Sequence, residues 1–233
     1  MRFRFVLFPV LAVFLLQAGS HAKVWRILGG SEHRLNVTGL PWEGAYQTTM
    51  NVNGRRNEVH LYSARYTEPV VEQVRRQFEA QGARVTLRTT EEGASGIAKW
   101  EGREAKILVL SPKTEPRHLI FLFYPDPSAR REQVVFPVPR YKQAEPKNVV
   151  VDEDTGVFSA TIKTYDSATE VHDYYLAKLT SKGWSLVLPA RISNGEVNGM
   201  AIYQKKKQIC YVQAVNKQGR ANIVTLLVKG GKL

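Results

Sequence analysis

The chain is 233 residues long, carries 33 Lys+Arg against 21 Asp+Glu for a formal net charge of +12, and has one cysteine. A single thiol excludes a disulfide framework within the chain, and beyond residue 22 no apolar run approaches the roughly eighteen residues of a membrane span. The positive excess favours anionic surfaces and says nothing about fold.

Residues 1–22 read as a cleaved signal peptide. Met1-Arg2-Phe3-Arg4 is a positive start, Phe5 to Leu16 is apolar apart from the break at Pro9, and Ser20-His21-Ala22 puts small residues at −3 and −1. No cysteine stands nearby to take a lipid. The mature chain, 211 residues from Lys23, loses Arg2 and Arg4 and keeps a net charge of +10. It is expected in the periplasm or secreted from a bacterial cell. Residues 23–44, with Trp25, Leu40, Pro41 and Trp42, predict an arm that packs rather than a free tail. Asn36-Val37-Thr38 would be a glycosylation acceptor only in a eukaryotic host.

A first α+β unit is expected over 45–124. Tyr46–Val52 and Glu58–Ala64 read as strands around Asn53-Gly54, a strong hairpin turn. A helix follows, with Thr67 as cap, Pro69 in its first turn, a buried stripe of Val70, Val74 and Phe78, and a stop at Gly82. Strands are predicted at 83–89, 96–100, 106–110 and 118–124. Residues 125–147 form a basic linker, kept extended by Pro125, Pro127, Pro137, Pro139 and Pro146.

A second unit is expected over 148–233, because the chain resembles itself. At an offset of 101, Val70 meets Val171, Val74 meets Tyr175, Phe78 meets Leu179 and Gly82 meets Gly183; at 104, Leu119–Tyr124 meets Ile223–Val228. Strands are predicted at 148–151 and 157–164, with a turn at Asp152 to Gly156. Ser167-Ala168-Thr169-Glu170 is a capping box for a helix whose stripe is Val171, Tyr175 and Leu179. Strands at 184–188, 197–204, 209–215 and 221–228 complete it. The last strand of each unit is almost continuously apolar, as expected of a strand covered on both faces. The fold class predicted is thus α+β: two tandem ββαββββ copies, each an antiparallel sheet with one helix on a face. The stretch Thr164-Tyr165-Asp166-Ser167, then Tyr174-Tyr175, Leu179 and Gly183-Trp184, resembles a pattern of small bacterial envelope domains, in which a short helix ends in Gly-Trp and feeds a strand meander. That resemblance implies a fold and no activity.

The candidate sites are few. His33, His60, His118 and His172 have no second ligand at metal spacing, and His60, between Val59 and Leu61, is expected to face outward. Asp152-Glu153-Asp154-Thr155-Gly156 lacks the later oxygen ligands of a calcium loop and reads as a hairpin turn. Gly29-Gly30-Ser31 and Gly93-Ala94-Ser95-Gly96 lack the strand–turn–helix setting of a nucleophile elbow, and the second reads as a hairpin loop. Cys210, in an apolar stretch, is expected to be buried and inert. No cofactor or metal is expected.

Charge is segregated in the second unit: from Lys178 onward it has ten basic residues and one acid, Glu196, whereas 152–173 hold six acids and one lysine. Lys205, Lys206 and Lys207, with Arg130 and Arg131 in the linker, are the possible anion-binding residues. The function expected is a non-catalytic envelope protein that binds a protein partner. The alternative is binding of an anionic polymer, such as nucleic acid, lipopolysaccharide or acidic polysaccharide, through the basic face.

Overall fold

The computed structural model describes Leu35 and residues 42–65, 69–91, 93–111, 117–193, 196–198, 200–217 and 220–230. The signal peptide, Gly29-Gly30-Ser31, His33, Asn36 and most of the arm lie outside the described residues. The chain divides into two compact units, one holding 56–129 with 42–49, the other holding 130–230 together with the segment 50–55. Among the described residues the ladders are antiparallel and two α-helices accompany the strands, which makes the protein α+β.

The first unit runs β1 (Trp42–Val52), β2 (Arg55–Arg65), α1 (Val70–Ala80), β3 (Arg84–Thr90), β4 (Gly93–Trp100), β5 (Arg103–Leu110) and β6 (Arg117–Pro125). Its strand order is β3-β4-β5-β6-β2-β1. Val70, Val74 and Phe78, at helical spacing, bury their side chains against Ile107, Val109, Ile120 and Leu122. Burial on this scale stabilises by about 1.5–3 kcal/mol per side chain. Leu119, Ile120, Phe121 and Leu122 are all buried, so both faces of β6 are shielded from water.

The second unit runs β7 (Pro146–Asp152), β8 (Phe158–Thr164), α2 (Ala168–Thr180), β9 (Ser185–Leu188), β10 (Arg191–Ser193), β11 (Glu196–Asn198), β12 (Met200–Lys205), β13 (Gln208–Lys217) and β14 (Arg220–Lys229). Its order is β7-β8-β14-β13-β12-β9, with β10 and β11 paired apart as a small hairpin. Beside β7, Met50, Asn51 and Val52 add a short ladder, and Asn53 closes it by donating its amide to the Val149 carbonyl. Val171, Tyr175 and Leu179 pack with Phe158, Ile162, Val212 and Leu226. The capping box at Ser167 is formed: its hydroxyl accepts from the Glu170 amide, and the Glu170 carboxylate accepts from the Ser167 amide.

Several local expectations are corrected. Pro69 is the residue before α1 rather than inside its first turn, and no side chain caps that helix; Thr67 lies outside the described residues. Gly93 to Gly96 belong to β4 and not to a loop. A Cβ on Gly96 would sit 1.9 Å from the Thr86 carbonyl oxygen, so the strands approach there as only glycine permits. The strand expected over 197–204 is broken into β11 and β12, and β10 had no clear periodicity to announce it. The linker is not a bare spacer: Val138 and Tyr141 are buried in the second unit's core. His60 is buried, because the face of β2 that carries it is the helix-covered one.

Candidate functional site

Lys205 ends β12, and Lys206 and Lys207 form the turn into β13, closed by the pairing of Lys205 with Gln208. Lys206 and Lys207 are exposed, whereas Lys205 is half-buried. Lys206 adopts a left-handed φ of 53°, unfavourable for a side chain with a Cβ. The Lys205 ammonium donates to the Lys182 carbonyl at 2.7 Å, in the segment that leaves α2. That carbonyl stands at the negative end of the helix, which suits a cation. The turn is therefore tied to the exposed Lys178 and Lys182 at the end of α2, and these lysines concentrate charge at one corner of the second unit.

Arg130 and Arg131 are exposed but lie elsewhere. The stem of Arg131 lies over Gly54, where an added Cβ would meet its Cγ at 3.1 Å, and the Glu132 amide donates to the Gly54 carbonyl at 2.8 Å. Five strand spacings separate β1 from β12 in this sheet, about 24 Å at roughly 4.8 Å each. The structure thus does not bring the arginines to the lysine turn.

Three polar clusters were not read from the sequence. Glu58, His60 and Tyr62 share one face of β2 by their spacing of two. The imidazole Nε2 lies 2.6 Å from the Glu58 carboxylate and Nδ1 3.2 Å from the Tyr62 hydroxyl. Both ring nitrogens are engaged within this cluster, which fixes the orientation of the ring. Ser111 and His118 meet at 2.7 Å through Nδ1 across the mouth of β5 and β6. Asp166 binds the Tyr141 hydroxyl at 2.6 Å and the Lys142 ammonium at 2.8 Å, which clamps the linker to the start of α2. Those bonds hold the Asp166 carboxyl below its ordinary range, and burial followed by the Asp166 bond pushes the Tyr141 phenol up to about 12. Lys142 and Gln143 both have positive φ, so this turn is held against its backbone preference. Cys210 is fully buried, and burial raises its thiol to about 12, which leaves it without thiolate near neutrality. Asp152 serves its turn: its carboxylate accepts from the amides of Asp154 and Thr155. Among the described residues no three His, Cys, Asp or Glu side chains gather as a metal site.

The other feature is β9. It pairs with β12 on one side and ends the sheet on the other. Leu186, Val187 and Leu188 are 38%, 57% and 48% exposed. The strand carries no charge. Its counterpart in position, edge strand β3, exposes Arg84, Thr86 and Arg88 while tucking Val85 and Leu87 against the core. Natural edges avoid pairing with other chains by charge, by shortness, by proline and by bulges; β9 lacks the charge, and is limited only by its four-residue length, the register shift at Val187 and Pro189 after it. The register places Gln204 opposite Ser185, so the lysine turn begins beside the start of this edge. Ser-Leu-Val-Leu, without charge or alternation, reads in sequence as a covered strand, and the sheet order alone marks it as an edge.

No family model matches this chain, and no curated protein or solved structure shows significant similarity to it.

Proposed function

We propose that this chain is an exported, non-catalytic module that binds another protein, built from two copies of one ββαββββ unit. Duplication is supported by the two strand orders, β3-β4-β5-β6-β2-β1 and β9-β12-β13-β14-β8-β7, which correspond element for element with β10 and β11 as an insertion. The helices also close alike: the Ala83 amide donates to the Phe78 carbonyl and the Trp184 amide to the Leu179 carbonyl, each at 3.0 Å. Export rests on residues 1–22, and intact mass should show a mature chain beginning at Lys23.

The observation that carries protein binding is the uncharged, exposed edge β9. A row of unpaired backbone groups beside apolar side chains is a template for another chain. Crosslinking of the full chain in its native envelope should give a discrete protein adduct. The isolated pair should lose less than about tenfold in affinity between 50 and 200 mM salt. A second reading, binding of an anionic polymer, is favoured by the lysines gathered at the end of α2. It predicts a loss of a thousandfold or more over the same salt range if six or more anionic contacts form, as for nucleic acid.

A further inference from the structure

We infer that β9 receives an extended segment of another protein as an added strand, and that this segment carries carboxylates at the end lying beside Lys205–Lys207. This rests on the protein-binding reading above and names the site and the chemistry of its partner.

The edge supplies the pairing. Residues 185–188 bond to β12 along one side only, so half of their backbone groups face away from the sheet. The register with β12 shifts at Val187, which has no partner between Leu186 and Leu188, so an incoming strand would satisfy the outer groups and lay its side chains beside the exposed Leu186, Val187 and Leu188 without strict alternation. Pro189 ends the strand and keeps the added ladder short.

Charge selects the occupant. Lys182 precedes β9 by three residues and Arg191 follows it by three. A second copy of this chain, paired antiparallel about the centre of β9, would set Ser185 opposite Leu188 and bring the Lys182 end of each strand toward the Arg191 end of the other, with both residues off the ladder. Like charges so placed oppose assembly. The Lys205–Lys207 turn, next to Ser185 by register, adds to that repulsion. A segment with carboxylates meets the same groups favourably. Four paired residues form a small interface, so affinity from this edge alone is modest, in the micromolar range or weaker.

The test uses the purified full chain and four capped probes: the heptapeptide Glu-Glu-Val-Thr-Val-Glu-Glu, two versions of it N-methylated at alternate backbone nitrogens on one edge or the other, and hepta-glutamate. Binding and amide exchange are read at 150 mM salt. The first peptide should bind and slow exchange within 185–188. Methylation of the pairing edge should weaken it at least tenfold, and Val187→Lys should do the same while the chain unfolds at the wild-type temperature. Hepta-glutamate should bind at least tenfold more weakly. Equal binding of hepta-glutamate or of both methylated peptides would overturn the inference in favour of a diffuse anion surface. A salt-insensitive dimer that Val187→Lys dissociates would assign the edge to a second copy. Absence of peptide binding, with a crosslinked envelope partner still captured by the Val187→Lys chain, would remove β9 as the site and leave protein binding standing on another surface.

Discussion

His172 stands on α2 next to the core residue Val171, buried, and among the described residues neither ring nitrogen has a hydrogen-bond partner. Burial lowers its pKa, and the neighbouring Asp173 offsets part of that. The unfolded chain therefore takes up a proton near pH 6.5 that the folded chain resists. Stability is greatest above pH 6.5, declines as pH falls below it, and levels off once the folded form also protonates. His172→Leu removes both the titration and the unpaired nitrogens. It should raise stability by about 1 kcal/mol at pH 7.5, and the gap should widen by pH 5, as read from thermal unfolding at the two pH values. The lysine turn carries a different balance. Lys205 serves the fold through the Lys182 carbonyl, whereas Lys206 holds a backbone conformation that glycine or asparagine would adopt more easily.

The two helices differ at their starts, and the difference is measurable. Ser167 gives α2 a reciprocal cap, while α1 begins at Val70 after Pro69, with no side-chain cap among the described residues. Ser167→Ala should cost about 1 kcal/mol in denaturant unfolding, with an unchanged dependence on denaturant concentration. Helices were the most legible elements, because the stripe spacing, the Ser167–Glu170 box and the glycines at 82 and 183 all agree. Central strands β6 and β14 announced themselves as apolar runs. The failures have physical causes. Gly93 and Gly96 resemble turn residues by type, yet they sit in a strand because a neighbouring backbone lies too close for a Cβ. His60 alternates with Val59 as a surface residue would, but β2 is covered on both faces, so alternation carries no information there. The exposure of β9 was hidden for the converse reason: Leu-Val-Leu reads as core, and only sheet order shows that it lies at the edge. The lysine run was found as a run; its attachment to α2 and its nearness to β9 come from register.

For the molecule as a whole, the question is whether its charge recruits or merely tunes. Changing Lys205, Lys206 and Lys207 together to Gln removes three of the ten basic residues from Lys178 onward. If a protein strand docks on β9, these are rim charges. The loss at physiological salt should stay within about threefold, with a larger fall in association rate at low salt. If an anionic polymer binds, the slope of log affinity against log salt should flatten by up to about three. Surface plasmon resonance across a salt series separates the two. Thermal unfolding controls for the Lys205 contact, whose loss should cost no more than about 1 kcal/mol.

The segment 50–55 is short, but it belongs to the second unit although 130–230 supply the rest. Met50, Asn51 and Val52 pair with β7, Asn53 bonds Val149 in both directions, and Gly54 accepts from Glu132. A cut in the linker therefore does not yield a finished piece. A fragment beginning at Arg130 would expose β7 as a second raw edge and leave the Val149 amide and the Glu132 amide without their acceptors. It should aggregate or melt several degrees below the intact chain. A synthetic peptide spanning 46–58, added in trans, should restore part of that loss by complementation. On the ribosome the same arrangement means that the strand completing the second unit is made well before the sheet it joins, since Val52 precedes the start of β7 at Pro146 by the whole of the first unit and the linker, and it waits for the later half of the chain to arrive.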